Sequence, residues 1–172
     1  MDWLARILSL WVNLSPSLPL GVYHTTHSPP VRGAIVVVCL PVALGRFARD
    51  RGYLGHGPCP GGVERLGKRV AAVAGDTVEI DAQGVRVNGF AIPGSERLER
   101  DSRGRPLPAI AGRVIVRPGE LFLLATDHRR SFDGRYFGAI APTDLLVVER
   151  VHPIESLAEP PNRERDLDCR DH

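Results

Sequence analysis

The 172-residue sequence is poor in lysine, methionine, cysteine and aromatic residues, and it has no long apolar run. Three cysteines are too few for a disulfide scaffold and lack the paired spacing of a structural zinc site, and we predict neither a metal nor another cofactor. Cys39 ends an apolar run and Cys59 lies in the next loop, so a disulfide between them is expected where the compartment is oxidising. The net charge of +2 is too small to indicate a nucleic-acid partner, and none is predicted.

Lysine is the residue whose scarcity is most informative. Of the 22 basic residues, 21 are arginine and one is lysine, Lys68. Arginine stays protonated at any physiological pH, whereas a lysine amine in an apolar pocket can lose its proton and act as a base. Lys68 opens a predicted strand, where alternation places it on one apolar face with Val70 and Ala72. The alternative is a strand-end lysine that reaches out to water.

The apolar pattern after the first 20 residues is mostly strand-like, with β-branched runs bounded by glycine and proline. One short helix is predicted directly after Pro41, over 42–51, and the polar, proline-rich stretch 97–111 is predicted to be an exposed loop or hairpin tip. Many short connections, with 15 prolines and 18 glycines, indicate a mainly β domain folded over as an antiparallel barrel or sandwich. The predicted strands are 33–40, 68–74, 77–80, 85–88, 113–117, 120–125 and 145–151.

The chain divides into three predicted parts. Residues 1–14 carry an apolar stripe typical of a helix of about three turns, which is too short to cross a bilayer alone. An interfacial helix, a truncated membrane anchor and a helix packed on the domain's own core remain alternatives for this part. Residues 15–154 form the predicted globular domain, and residues 155–172 lack apolar periodicity and are predicted to be disordered.

Three separated segments carry candidate chemistry: a stiffly held serine, the single lysine and a late polar loop. Ser17 stands between Pro16 and Pro19, which stiffen the backbone around it, although such a segment is by itself also a plain turn. The lysine strand continues into AGDTV over 74–78, and the late loop reads SFDGRYFG over 131–138. No histidine has an aspartate and a serine in a recognisable triad arrangement, and the GxSxG elbow is missing.

Together these segments resemble the type I signal peptidases, in particular the conjugative-transfer signal peptidases of TraF type. In that family a serine in a PSLPxG segment follows an apolar helix, a lysine strand precedes a Gly-Asp turn, and a late box ends in SxDSRYxG. The resemblance runs from residue 14 to residue 153. The matching stretches are PSLPLG at 16–21, KRV at 68–70, AGDTV at 74–78, SFDGRYFG at 131–138 and the subgroup-like GYLGHGPCPGG at 52–62.

The resemblance implies a role for the matching serines and lysine. It makes Ser17 the nucleophile and Lys68 the general base of a Ser–Lys dyad, in which the amine takes the hydroxyl proton and later returns it to the leaving amine. The Ser17 backbone N–H and the Ser15 hydroxyl match the donors of an oxyanion hole. For Ser15, a turn or capping role is the alternative.

The late loop has a supporting role in the same resemblance. Ser131 matches the residue that orients the lysine amine, and Asp133 and Arg135 match a structural ion pair. The loop departs from the family at 125–128, where ATDH replaces the usual GDN opening. The SxM form of the nucleophile motif is also absent, because the only methionine is Met1. Neither departure removes a catalytic group.

The implied protein is a membrane-associated serine endopeptidase with a signal-peptidase or LexA-like β fold, at the periplasmic face of the inner membrane. Its implied substrates are secreted precursors with small side chains before the cut, with pilin subunits for conjugation as the special client. An acyl-enzyme at Ser17 can be resolved by water or by an amine, so hydrolysis and cyclisation of the pilin both stay open. The sequence does not set the oligomeric state.

Two other functions are alternatives to this interpretation. A LexA-like self-cleaving protease shares the dyad and the fold, but it needs a DNA-binding domain before the serine, and 16 residues precede Ser17. A non-catalytic assembly module of a secretion or mating apparatus would bind pilin without cutting it. The joint presence of Ser17, Lys68 and Ser131 argues against that module, whereas an exposed, fully protonated Lys68 would favour it.

Overall fold

The computed structural model describes residues 10–154 and is dominated there by β structure. None of the helices in this part of the chain is long and apolar enough to span a membrane. The helices are α1 (Val42–Asp50) and α2 (Gly134–Phe137). The strands are β1 (Leu10–Asn13), β2 (Gly21–Thr26), β3 (Ile35–Cys39), β4 (His56–Cys59), β5 (Leu66–Ala72), β6 (Thr77–Asp81), β7 (Gly84–Val87), β8 (Phe90–Ile92), β9 (Gly112–Ile115), β10 (Phe122–Leu124) and β11 (Asp144–Pro153).

Ten of the eleven strands in residues 10–154 form two antiparallel sheets, and β4 makes only isolated bridges to Val63. The larger has six strands in the order β1-β2-β11-β3-β5-β10, and the smaller has four in the order β8-β7-β6-β9. The prediction of a mainly antiparallel β domain is confirmed. Each sheet has two edge strands and stays open, so the folded-over arrangement is a pair of sheets and not a closed barrel.

All seven predicted strands and the predicted helix have counterparts in the structure. They correspond to β3, β5, β6, β7, β9, β10, β11 and α1, with ends that differ by a few residues. Strands β2, β4 and β8 were not predicted. In β2, Tyr23 is the one large side chain that is fully buried, so the apolar signal is weak. This strand is defined instead by its pairing with β1 on one side and β11 on the other.

The predicted amino-terminal helix needs a correction at its end. Residues 10–13 form β1 and pair antiparallel with residues 21–24 of β2. Pairing with β2 satisfies the backbone groups of residues 10–13 in the extended form, and Pro16 and Pro19 lie in the segment that turns the chain between the two strands. The rest of that prediction, residues 1–9, and the predicted tail, 155–172, lie outside the described residues.

Two hydrophobic cores meet at β10. Leu123 packs into the core formed mainly by β3, β5 and α1. Its neighbours Phe122 and Leu124 pack into the core beneath the smaller sheet. Because successive side chains of a strand point to opposite faces, this short strand joins the two sheets into one domain.

A disulfide fixes the loop between α1 and β5. It joins Cys39 at the end of β3 to Cys59 at the end of β4, with 5.4 Å between the two Cα atoms. Both cysteines are buried in the first core. The covalent link holds residues 56–58 beside the cavity described below.

Candidate active site

The segment that carries Ser17 is held by two buried side chains. The Tyr23 hydroxyl donates to the Pro19 carbonyl oxygen at 2.6 Å, and further bonds come from Asn13. Its Nδ2 donates to the carbonyl oxygens of Ser15, Leu18 and Pro19 at 2.9, 3.0 and 3.2 Å. Its Oδ1 accepts from the Ser15 backbone N–H at 3.1 Å. Asn13 is 3% exposed, so these bonds are shielded from water and fix the backbone on both sides of Ser17.

The same segment packs directly on β5. A Cβ added at Gly67 would lie 2.7 Å from the Trp11 ring and 3.0 Å from Leu18 Cδ1. Glycine at position 67 therefore allows the chain around Ser17 to approach β5 closely. The next residue along that strand is Lys68.

Lys68 lies on the buried face of β5, as the alternation predicted. Its neighbours on that face are Leu66, Val70 and Ala72, while Arg69 is exposed on the other. Lys68 is 3% exposed, and burial is the largest cause that lowers the pKa of its amine from 10.5 to about 8. The Asp133 carboxylate acts in the opposite direction and raises this pKa. Arg135 adds a smaller lowering effect on the same pKa.

A fully buried ion pair organises the late loop. Arg135 donates from Nε to Asp133 Oδ1 at 2.8 Å and from Nη2 to Asp133 Oδ2 at 2.9 Å. The same guanidinium donates to the backbone carbonyl oxygens of Ser131, Ala125 and Glu96. The paired residues are 0% and 1% exposed, so the loop closes around a charge pair with most of its hydrogen-bonding capacity used.

Ser17, Lys68 and Ser131 come together around one cavity of about 750 Å³, and Ser15 also lines it. A hydrogen bond of 3.2 Å joins Ser17 Oγ and Ser131 Oγ. Within residues 10–154, the Lys68 amine makes no hydrogen bond to either hydroxyl. The site therefore unites a half-buried serine hydroxyl, a second hydroxyl and a desolvated amine.

Two contacts differ from those implied by the resemblance. Ser131 was expected to orient the Lys68 amine, but its hydroxyl contacts the nucleophile candidate Ser17. Ser15 was expected to donate towards an oxyanion, and its Oγ accepts from the Ser17 backbone N–H at 3.3 Å. A hydroxyl both donates and accepts, so Ser15 keeps its own hydrogen for another acceptor.

Sequence reasoning missed two elements of the cavity wall. Asn13 had a local signal, because Asn-Leu-Ser is typical of an Asx turn, in which the side-chain oxygen accepts from the backbone two residues later. The stretch 97–111, predicted to be exposed, also packs against the site. Asp101 accepts from the Tyr53 hydroxyl at 2.7 Å, and both residues line the cavity.

Metal binding is not supported in the described part of the chain. Between residues 10 and 154, no group of three or more histidine, cysteine, aspartate or glutamate side chains is arranged to hold a metal ion. The catalytic candidates that the cavity brings together are the Ser17 and Ser131 hydroxyls and the Lys68 amine.

Comparison with known proteins identifies the family. Residues 7–152 match the family model described as signal peptidase, peptidase S26. The chain belongs to the S26 signal peptidase family. The S26 match contains all six residues assigned to the site, Ser15, Ser17, Lys68, Ser131, Asp133 and Arg135. The resemblance drawn from the motifs is confirmed at the level of the family.

The chain is also similar to named relatives of the TraF type. It is 41% identical over 142 residues to the plasmid transfer protein TraF of Escherichia coli, covering 81% of this chain and 79% of the relative. It is 40% identical over 142 residues to the conjugal transfer protein TraF of Agrobacterium fabrum, with 81% and 79% covered. The probable conjugal transfer protein TraF of Sinorhizobium fredii is 39% identical over 138 residues, with 78% and 72% covered.

Among solved structures, a signal peptidase I from Enterococcus faecalis is similar to the chain. The sequence identity is 20% and the TM-score is 0.39. The match covers 69% of this S26 family member and 97% of the solved chain.

Proposed function

We propose that the chain is a serine endopeptidase in which Ser17 is the nucleophile and Lys68 the general base. The observation that carries the proposal is the burial of Lys68 beside Ser17 and Ser131 in one cavity. A lysine whose pKa is about 8 is neutral in a useful fraction of molecules near neutral pH, so it can accept a proton. An exposed, fully protonated lysine would instead have supported a binding module.

The chemical steps follow from these groups. The neutral Lys68 amine takes the proton of Ser17 Oγ as that oxygen attacks the scissile carbonyl carbon. The C–N bond of the tetrahedral intermediate then breaks, and Lys68 returns the proton to the leaving amine. The acyl-enzyme is resolved by water, which gives a linear product, or by an amine of the same chain, which gives a cyclic one.

Two groups are the proposed hydrogen-bond donors to the developing oxyanion, the Ser15 hydroxyl and the Ser17 backbone N–H. Their mutual hydrogen bond keeps them side by side at the cavity. Rearrangement of that bond frees the N–H for the oxyanion, and the Ser15 hydrogen is available without rearrangement. Ser131 holds the Ser17 hydroxyl in place before attack.

The edge of β5 supports an extended substrate. Strand β10 pairs with β5 at residues 69, 70 and 72, whereas β3 pairs along residues 66–69. The β10 side of residues 66–68 therefore offers backbone groups beside the catalytic amine. A precursor bound there as an extra strand places its scissile bond near Ser17, with main-chain hydrogen bonds supplying affinity.

Pilin precursors for conjugative transfer are the proposed clients. Support comes from the relatives, which are named plasmid or conjugal transfer proteins. Small residues before the cut are proposed from the same family membership. Product mass separates hydrolysis from cyclisation, because a cyclic product is one water lighter than the linear one.

We propose an envelope location, at the periplasmic face of the inner membrane. The Cys39–Cys59 disulfide supports an oxidising compartment. Exposed apolar side chains on and just after β1 (Leu10, Val12 and Leu14) support contact with the membrane surface. Fractionation of cells that produce the full chain, with and without carbonate extraction, tests this location, and a purely cytosolic distribution would contradict it.

The test of catalysis is cleavage of a pilin precursor by the detergent-solubilised full chain, read by mass spectrometry. Ser17→Ala and Lys68→Arg are expected to remove the product while circular dichroism shows an intact fold. Ser28→Ala and Arg103→Lys are matched controls, because both residues are exposed and neither lines the cavity. Cleavage by Ser17→Ala would refute the dyad, and binding without cleavage by the wild type would favour the assembly module.

A further inference from the structure

A second cavity opens on the other side of Ser17. It has a volume of about 240 Å³, and its lining includes Ser17, Leu18 and Leu124. Lys68 and Ser131 do not line it, so it is distinct from the cavity that holds the proposed base. Of the proposed catalytic residues, Ser17 lines both cavities.

Strand β5 connects the two cavities. Its residues 66–68 line the first cavity, and its residues 69–71 line the second. An extended peptide advances about 3.3 Å per residue, as a strand does. A peptide that pairs with residues 66–68 meets Ser17 where that free edge ends and β10 takes over the pairing with β5. Beyond Ser17 the peptide leaves the strand edge and enters the second cavity.

The second cavity has an apolar floor and a charged rim. Val70 and Leu124 are buried in the floor. On the rim, Arg69 is held in place by donation from Nη1 to the Gly33 carbonyl at 2.9 Å. Arg32 lies nearby and donates to Asp76 Oδ1 at 2.6 Å.

The rim carries more positive than negative charge. Arg32 and Arg69 line the cavity, and Asp127 is the carboxylate that lines it. Asp76, the partner of Arg32, is not part of the lining and is itself bound by the Val73 N–H and the Asn88 amide. An acidic side chain entering this cavity meets the Arg69 guanidinium, which has no carboxylate partner among the described residues, and the Arg32 guanidinium, whose charge is partly offset by Asp76.

We infer that the second cavity binds the one or two residues that follow the scissile bond, and that it favours an acidic side chain there. This rests on the proposed function, because the scissile bond is placed by Ser17. With the larger first cavity taken by the residues before the cut, the new amino end is released on this side of Ser17. The volume admits one medium-sized side chain over the apolar floor, with its carboxylate at the arginine rim.

The experiment uses three precursor peptides that are identical before the cut. They carry Glu, Gln or Lys at the second position after it, and kcat/KM is measured by mass spectrometry with the full chain in detergent. The Glu peptide is expected to exceed the Lys peptide by about three- to fivefold, the range for partly exposed charge pairs. Arg69→Glu is expected to reverse that order, and Asp127→Asn to increase the preference for Glu.

Arg117→Glu is the matched control, because it makes the same charge change at an exposed arginine that lines neither cavity. It is expected to leave the Glu-to-Lys ratio unchanged. Equal kcat/KM for all three peptides with the wild type would overturn the inference and leave the endopeptidase proposal standing. Failure of the wild type to cut any of them, or any pilin precursor, would refute the proposed function and the inference with it.

Discussion

The two segments that meet at Ser17 and Ser131 are held by opposite kinds of interaction. The nucleophile segment, residues 13–21, contains no charged residue and is fixed by the neutral amide of Asn13. The late loop is fixed by a charge pair, Asp133 with Arg135, that is removed from water. Both arrangements deliver a serine hydroxyl to the same cavity, and a single hydrogen bond joins them.

The two segments therefore have different roles: the late loop sets the charges around Lys68, and the nucleophile segment positions Ser17. Asp133 and Arg135 both act on the pKa of Lys68, in opposite directions, while burial dominates. The late loop thus shapes the environment of the proposed base. The uncharged nucleophile segment positions the attacking oxygen without adding a further charge beside the amine. Substitutions on the two sides are expected to have different consequences for stability and for pH dependence.

The largest effect is expected on the late-loop side. Arg135→Met removes one partner of the buried pair and leaves the Asp133 carboxylate in an apolar setting. We expect the free energy of unfolding to fall by about 3–5 kcal/mol, measured by urea denaturation monitored by circular dichroism. A loss too small to measure would mean that the pair contributes little to the stability of the loop.

A surface pair is the control for this substitution. Arg86 donates to Asp81 at 2.7 Å with both side chains well exposed. Arg86→Met is expected to leave stability nearly unchanged, because water replaces the lost partner. The double variant Asp133→Asn with Arg135→Met is expected to recover part of the loss, since it leaves no buried unpaired charge.

The second effect is the pH dependence that burial of Lys68 imposes. Below pH 8 the amine is protonated in both states, and the folded protein bears the full cost of burying the charge. Between about pH 8 and 10.5 the unfolded chain binds the extra proton, so the free energy of unfolding rises with pH, by about 3 kcal/mol over that window. Unfolding by guanidinium chloride at several pH values measures this rise in the free energy of unfolding.

Lys68→Met provides the matched comparison, because methionine is about as long as the aliphatic part of lysine and has no amine. Its stability is expected to lack the rise between pH 8 and 10.5. For the wild type, kcat/KM is expected to increase with pH around a midpoint near 8 as the amine becomes neutral. A flat stability difference between the two proteins across that window would contradict a buried, depressed lysine.

The local features of the site could be predicted from the sequence, whereas the contacts between distant segments could not. Alternation placed Lys68 on the buried face of β5, and the prolines located the turn around Ser17, because both signals are local. The contact between Ser17 and Ser131 joins residues 114 positions apart, and no local pattern encodes which hydroxyl it favours. The strand pairing of β1 likewise depends on β2 across the turn.

The third effect tests the nucleophile side. Asn13→Ala removes three donated hydrogen bonds and one accepted bond. Among the described residues it leaves the Leu18 carbonyl without a partner, while Pro19 O still accepts from the Tyr23 hydroxyl and Ser15 O from the Leu18 N–H. We expect a loss of about 1–3 kcal/mol in stability and no change in the pH midpoint of kcat/KM, because Asn13 carries no charge. Gln83→Ala, at an exposed amide, is the control. A shifted midpoint would mean that the two sides are not electrostatically separate.

The smallest effect on stability is expected where the two sides meet. Ser131→Ala removes the hydroxyl that contacts Ser17 Oγ and costs about 1 kcal/mol or less, because the pair is partly open to water. Ser131→Thr retains a hydroxyl and is expected to restore kcat/KM towards the wild-type value, whereas the alanine variant keeps a low kcat at unchanged KM. If Ser131→Ala instead moves the pH midpoint, the hydroxyl acts through the Lys68 amine during the reaction, and the contact with Ser17 belongs to the resting site alone.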